Sequence, residues 1–168
     1  QQVLILLPEI ALTVQFLDRF AARFGCRPLE WHSDLSMRER KRVYRAALDG
    51  SARVVAGARS ALFLPYADLG LIIVDEEHDP AYKQEDGVRY HARDTAVMRG
   101  RIEGCPVLLG SATPSLESYQ HAKAGKYQLL RLAHRVDHRP MPVVLIVDAK
   151  ALPKGGSFSH RLIEDMKK

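Results

Sequence analysis

The sequence is short of several features that would narrow its class at once. It has only two cysteines, Cys26 and Cys105, far apart and without CxxC spacing. They supply neither a zinc site nor the disulfide frame of a small secreted domain, and each reads as a small buried hydrophobe. No apolar stretch approaches the roughly 20 residues that span a bilayer. Gln1 to Ile5 lacks the basic flank and cleavage region of a signal peptide. An initiator Met is absent too, so the expectation is a piece of a longer protein, with the cytoplasm as its default location. Neither an internal repeat nor a low-complexity segment occurs. Nowhere in the 168 residues is there a G-x-x-x-x-G-K-[ST] loop, whose backbone N–H groups and Lys cradle nucleotide phosphates.

What is present is ordinary globular chemistry with a basic tilt. A length of 168 residues buries one core. Hydrophobic residues at 46% and charged residues at 27% argue against disorder. Lys+Arg 25 against Asp+Glu 20 gives +5, which permits a nucleic-acid surface without demanding one.

Short apolar runs alternate with longer amphipathic ones. Val3 to Leu7 reads as a buried strand stopped by Pro8. A helix from about Leu12 to Phe24 follows, with Val14, Phe16, Leu17, Phe20, Ala21 and Phe24 as its apolar face. Pro28 to Trp31 is a short strand. Ser36, with Glu39 three residues on, forms a capping box for a helix to about Leu48, ended by Gly50. Strands are predicted at Arg53 to Gly57, Leu71 to Asp75, Pro106 to Gly110, Gln128 to Leu132 and Val143 to Val147. Helices are predicted at Ala92 to Arg101 and behind Ser115. Leu71 to Val74 is apolar at every position, as a strand covered on both faces must be, so the fold class is α/β with a parallel sheet. From Ala149 the chain reads as a linker and the start of a following region.

In such sheets ligands bind at the carboxyl ends of strands, and three polar clusters sit there. Asp75-Glu76-Glu77-His78 follows Leu71 to Val74. A strand-terminal Asp can hold Mg²⁺, usually through water, while the next Glu orients and deprotonates an attacking water. A solvated acidic turn is the plainer alternative, but like charges repel there. Gly110-Ser111-Ala112-Thr113-Pro114 reads equally as a capped helix start or as a loop whose hydroxyls bond a carboxylate or phosphate. Pro8 to Thr13 is weak alone, since Glu9 and Thr13 could simply decorate a helix start.

These motifs resemble those of the second helicase superfamily, and more narrowly the replication-restart helicases of the primosomal protein N-prime family. The matching stretches are Leu7 to Thr13, Trp31-His32-Ser33, Gly57 to Phe63, Leu69 to Pro80, Tyr82-Lys83-Gln84, Arg89 to Asp94 and Leu109 to Pro114. They run from about Val3 to Asp148.

The resemblance implies a RecA-like helicase lobe over residues 1–148, truncated before its first strand and phosphate loop, with residues 149–168 a linker. It implies ATP and Mg²⁺ as cofactors, Asp75 as the metal-binding carboxylate and Glu76 as the base. His78 would link the nucleotide site to Ser111 and Thr113, with Glu77 in the same coupling group. Thr13, Arg59 and Ser60 would hold DNA phosphates without reading sequence. Tyr82, Lys83, Arg89 and Tyr90 would form a loop that stacks bases and neutralises phosphates; packing of the two tyrosines onto the domain is the rival reading.

The activity implied is 3′-to-5′ DNA unwinding in replication restart and primosome assembly. Its partners would be single-stranded and forked DNA and other primosome and replication proteins, with no membrane. Zinc, most of the second motor lobe and the arginine finger would lie beyond residue 168, and the phosphate loop before residue 1, so this piece alone is expected to be inactive. Three positions depart from the pattern: Val88 where an aromatic is common, Ala58 where Thr is expected and Asp34 where Gly is usual. A non-catalytic DNA-binding or scaffold module is the alternative function.

Overall fold

The computed structural model describes residues 1–8 and 13–133. The strand expected at Val143 to Val147 and the linker from Ala149 lie outside them. By its contacts the chain divides between Leu129 and Leu130, and the fold below is that of Gln1–Leu129.

Five strands, β1 (Gln2–Leu6), β2 (Leu29–Trp31), β3 (Val54–Gly57), β4 (Leu69–Val74) and β7 (Val107–Leu109), form one sheet in the order β2-β3-β1-β4-β7. Every pairing in it is parallel. β5 (Lys83–Gln84) and β6 (Tyr90–His91) make a separate antiparallel pair. The helices are α1 (Val14–Phe24), α2 (Met37–Leu48), α3 (Ala92–Glu103) and α4 (Leu116–Lys123).

The continuous apolar runs are explained by burial on both faces. Leu4 and Leu6 of β1 join a core with Val55, Ile72 and Val74, Val43 and Ala47 of α2, and Ala92 and Ala96 of α3. The intervening Ile5 and Leu7 join Ala56 on the other face, beneath Phe16 and Phe20 of α1. Val14 and Phe24, expected on the buried face of α1, lie at its two ends and are exposed. Gln2 enters the core because both ends of its amide are used: Nε2 donates to the Ala47 and Ala52 carbonyls and Oε1 accepts from Asp68 N.

The predicted capping box is present. Ser36 Oγ accepts from Glu39 N, and the Glu39 carboxylate accepts from Ser36 N at 2.9 Å. Two expectations fail. Gln128 to Leu132 carries no strand, having no ladder partner among the described residues. Cys26 is exposed in the turn after α1, not buried, because the left-handed Gly25 has already ended the helix; Cys105 is half-buried.

Topology fixes where chemistry can sit. From the central β1 the chain builds outward to β2 and back to β3 on one side, then crosses to β4 and β7 on the other. The strand order therefore reverses between β1 and β4, which opens a crevice at their carboxyl ends. Asp75 is the first residue past β4 at that crevice, and its N–H donates to the Leu6 carbonyl at 3.0 Å.

Candidate nucleotide and DNA site

Asp75 and Glu76 stand at the strand end with different backbones. Asp75 is exposed. Glu76 has φ +48°, the one positive φ outside glycine among the described residues. A left-handed glutamate is strained, and such strain persists only where surrounding contacts hold it. Here Asp79 N donates to the Glu76 carbonyl at 2.8 Å and closes the turn. Gly110 lies against Asp75: a Cβ there would meet Asp75 Oδ1 at 3.5 Å.

Glu77 turns the other way. It is 1% exposed, and four groups serve its carboxylate. Ser115 N donates to Oε1 at 2.6 Å, while Ser115 Oγ, Ser118 Oγ and Arg93 Nη1 reach Oε2 at 3.0, 2.8 and 3.3 Å. Burial pushes its pKa up, but the bonds from Ser115, Ser118 and Arg93 outweigh that and hold the carboxyl below the ordinary glutamate value. Arg93, itself buried, also donates to Ser115 Oγ at 2.7 Å. This network ties the end of β4 to the starts of α3 and α4. Arg93, Ser115 and Ser118 were not among the sequence-derived site residues. The pattern that could have found the serines is their three-residue spacing at a helix start, opposite a carboxylate that follows an apolar strand.

His78 faces the loop after β7. Its Nδ1 lies 2.7 Å from Ser111 Oγ and its Nε2 lies 3.5 Å from Thr113 Oγ1. Thr113 N donates to Ser111 Oγ at 3.0 Å, so that loop is closed on itself. Glu76 Oε2 is 3.6 Å from His78 Nδ1, an ion pair only when the imidazole is charged. Glu76, His78, Ser111 and Thr113 are therefore one contact group, whereas Glu77, expected with Ser111 and Thr113, bonds Ser115 and Ser118 instead.

The residues expected on DNA are not all alike. Tyr82 is a correction: it is 1% exposed and offers no face to a base. Its single hydroxyl hydrogen is shared between the Asp75 carbonyl at 2.6 Å and the Leu6 carbonyl at 3.0 Å, so it pins the two strand ends of the crevice. Burial, then the nearby Asp75, Asp79 and Glu76 charges, push the phenol far up. The packing reading holds for this tyrosine. Tyr90 is half-buried and meets Phe63 edge-on at 5.1 Å.

Lys83 and Arg89 are exposed, with Lys83 paired to Glu85 at 2.7 Å. Arg59 Nη1 donates to the Ala81 carbonyl at 2.6 Å, fastening the loop after β3 to the turn before β5. Ser60 Oγ accepts from Trp31 Nε1 at 3.1 Å. Thr13 caps α1, its side chain accepting from Phe16 N at 3.2 Å. Glu9 lies outside the described residues.

No group of three His, Cys, Asp or Glu among the described residues could hold a metal. Asp75 as a lone exposed carboxylate fits Mg²⁺ of the kind that keeps several waters and takes its remaining ligands from phosphate oxygens. Nor is any helix among the described residues long and apolar enough to cross a membrane.

The parallel sheet, with carboxylates, a histidine and a hydroxyl loop at its crevice, has the fold of a helicase lobe, and the family comparison agrees. The DEAD/DEAH box helicase model matches residues 1–122, and the chain belongs to that family.

Within it, the chain is similar to proteins named replication restart protein PriA. That of Rickettsia felis is 46% identical over 169 residues, covering 99% of this chain and 26% of the relative. That of Bacillus subtilis is 47% identical over 168 residues, covering 100% of this chain and 21% of the relative. The Chlamydia pneumoniae protein is 57% identical over 136 residues, covering 80% of this chain and 18% of the relative. The chain thus spans about a quarter or less of these relatives. A solved structure described as RecG bound to a three-way DNA junction shares the fold, with a TM-score of 0.50 and 19% identity over 80% of this chain and 18% of RecG.

Proposed function

We propose that this chain supplies the magnesium- and water-handling part of the ATP site in a DNA helicase that moves 3′ to 5′ and acts in replication restart and primosome assembly. The observation that carries this reading is the contact of His78 with Ser111 and Thr113, directly beside Glu76. An acidic surface turn has no use for such a bridge between two strand ends. Similarity to proteins named for replication restart favours the cellular role, and the direction of movement follows from the family resemblance.

Asp75 would hold Mg²⁺ through water, and the ion supplies charge neutralisation on the phosphates when bound. Glu76, held in its left-handed turn, orients a water and takes its proton. His78 senses the position of that carboxylate and passes it to the hydroxyls of Ser111 and Thr113. Glu77 fixes the same loop from behind. Thr13, Ser60, Lys83, Arg89 and Tyr90 are the side chains offered to single-stranded and forked DNA, with Arg59 bracing their loops and Tyr82 bracing the crevice. Turnover belongs to a longer protein, since these 168 residues hold no phosphate loop. Zinc and the contacts with other primosome and replication proteins are assigned to that longer protein.

Strand displacement by the full-length protein on forked DNA, set against duplex RNA, tests this reading. ATP-dependent unwinding of the forked DNA is expected; unwinding of RNA alone would overturn it.

A further inference from the structure

We infer that the groove between β2 and α2 is an additional contact for an unpaired nucleic-acid strand, a proposal that rests on the DNA reading above. The groove holds about 500 Å³ between Trp31, Met37, Arg38, Arg40, Lys41 and Tyr44. Its floor is apolar and its rim cationic. Met37 is 80% and Tyr44 47% exposed, a large apolar surface that no other element covers among the described residues.

The charge on this face is one-sided. α2 carries Arg38, Arg40, Lys41, Arg42 and Arg45 against a single acid, Glu39. The Glu39 carboxylate is already taken by Ser36 N and Ser36 Oγ, at 2.9 and 2.6 Å. Among the described residues, neither Arg38 nor Lys41 has a carboxylate within 4.0 Å. Arg40 serves the fold instead, since it donates to the Ser33 carbonyl at 2.6 Å and holds the turn between β2 and α2. Its Nε is shut from solvent without a partner. The groove is thus a braced wall with two free cations on its rim.

Position selects the occupant. Trp31 ends the edge strand β2, and its Nε1 donates to Ser60 Oγ at 3.1 Å. Gly57 backs so closely onto the Trp31 carbonyl that no Cβ would fit between them. The aromatic wall and the Gly57 to Ser60 loop are therefore one rigid surface. A strand held at that loop and continuing past the sheet edge meets the groove next. Flat aromatic faces beside cations suit any base and its phosphates, and they are sequence-tolerant for that reason. An acidic peptide would use the same cations, but nothing connects such a peptide to the Ser60 loop.

The test measures binding of two fluorescent oligothymidylates to the full-length protein across a salt series. One is short enough to cover only the strand-end loops, and the other is long enough to continue over α2. Changing Arg38→Glu with Lys41→Glu is expected to weaken the long oligomer roughly tenfold and to flatten its salt slope by about 1.4, two phosphates' worth on a single strand. Tyr44→Ala is expected to weaken the long oligomer about fivefold. The short oligomer should be unaffected by either change. All three side chains lie on the outer face of α2, and an unchanged thermal midpoint checks that the variants fold.

Wild-type binding of the long oligomer with no loss in either variant overturns the groove and leaves the motor reading standing. Failure of the wild type to bind either oligomer overturns both. An oligo-aspartate peptide that binds the wild type and is lost in the variants, while DNA binding stays intact, would hand the groove to a protein partner and also overturn the proposal.

Discussion

His78 Nδ1 lies 2.7 Å from Ser111 Oγ, a contact that joins the loop after β4 to the loop after β7. With Ser111 donating to Nδ1, the Nε2–H faces Thr113 Oγ1 at 3.5 Å, so one imidazole addresses both hydroxyls. The strand ends beneath these loops are already locked: Gly110 N donates to the Val74 carbonyl at 2.8 Å, and Glu77 N to the Gly110 carbonyl at 2.9 Å. Against that fixed backbone, a side-chain contact is the part free to change, and on the proposed function it would change with the state of a bound nucleotide.

Removing it should therefore uncouple rather than unfold. Couplings between sites are typically worth about 1–3 kcal/mol. In the full-length protein, Ser111→Ala is expected to lower the ratio of DNA-stimulated to unstimulated ATP hydrolysis about tenfold. Steady-state hydrolysis with and without single-stranded DNA reads this directly. Thermal melting should show a shift within about 0.5 kcal/mol, as is usual away from buried networks.

Glu77 should behave in the opposite manner. Glu77→Ala removes one counter-charge of the buried Arg93, which keeps Asp94 at 2.8 Å, and strips the Ser115 and Ser118 donors of their acceptor. The loss is expected at the lower end of the range, about 3–5 kcal/mol, that breaking a buried pair costs. Urea titration measures the loss. The pH dependence has a definite sign. Because the folded carboxyl titrates below the ordinary value of 4.5, its contribution is fully present above that value. It is lost as the pH falls through the lower folded value. Glu77→Gln should flatten stability in this acid window relative to the wild type.

The two tyrosines of the loop should separate cleanly. Tyr82→Phe removes the hydroxyl that bonds the Asp75 and Leu6 carbonyls, at a cost of about 0.5–1.5 kcal/mol, since the Leu6 carbonyl keeps the Asp75 N–H. Its affinity for single-stranded DNA should stay within about twofold of wild type, since a buried ring makes no stacking contact. Tyr90→Ala should instead weaken that affinity by fivefold or more, from a stacking loss of about 1–3 kcal/mol. Fluorescence anisotropy and thermal melting on the same pair of variants decide it.

The difference between these residues shows what the sequence could carry. Leu71 to Val74 announced a doubly covered strand because each of its side chains is apolar, and Ser36 with Glu39 announced a helix start through a local bond pattern. The carboxylates were legible for the same reason: charge at the end of an apolar strand has few explanations. Tyr82 was not legible, because an aromatic with a polar tip suits both a base and a buried bond, and only the meeting of β1 with β4 chooses between them. β5 and β6 are two residues each, too short for any period to show. The Glu77, Arg93, Ser115 and Ser118 network spans 41 positions along the chain and exists only once three elements have packed.

The most direct test of the central claim is the Glu76→Gln variant of the full-length protein. It keeps the size of the side chain and removes its ability to take a proton from water. With saturating single-stranded DNA, ATP binding should remain within about twofold of wild type, while turnover falls by about 10²–10⁴. Undiminished turnover in that variant would contradict the account.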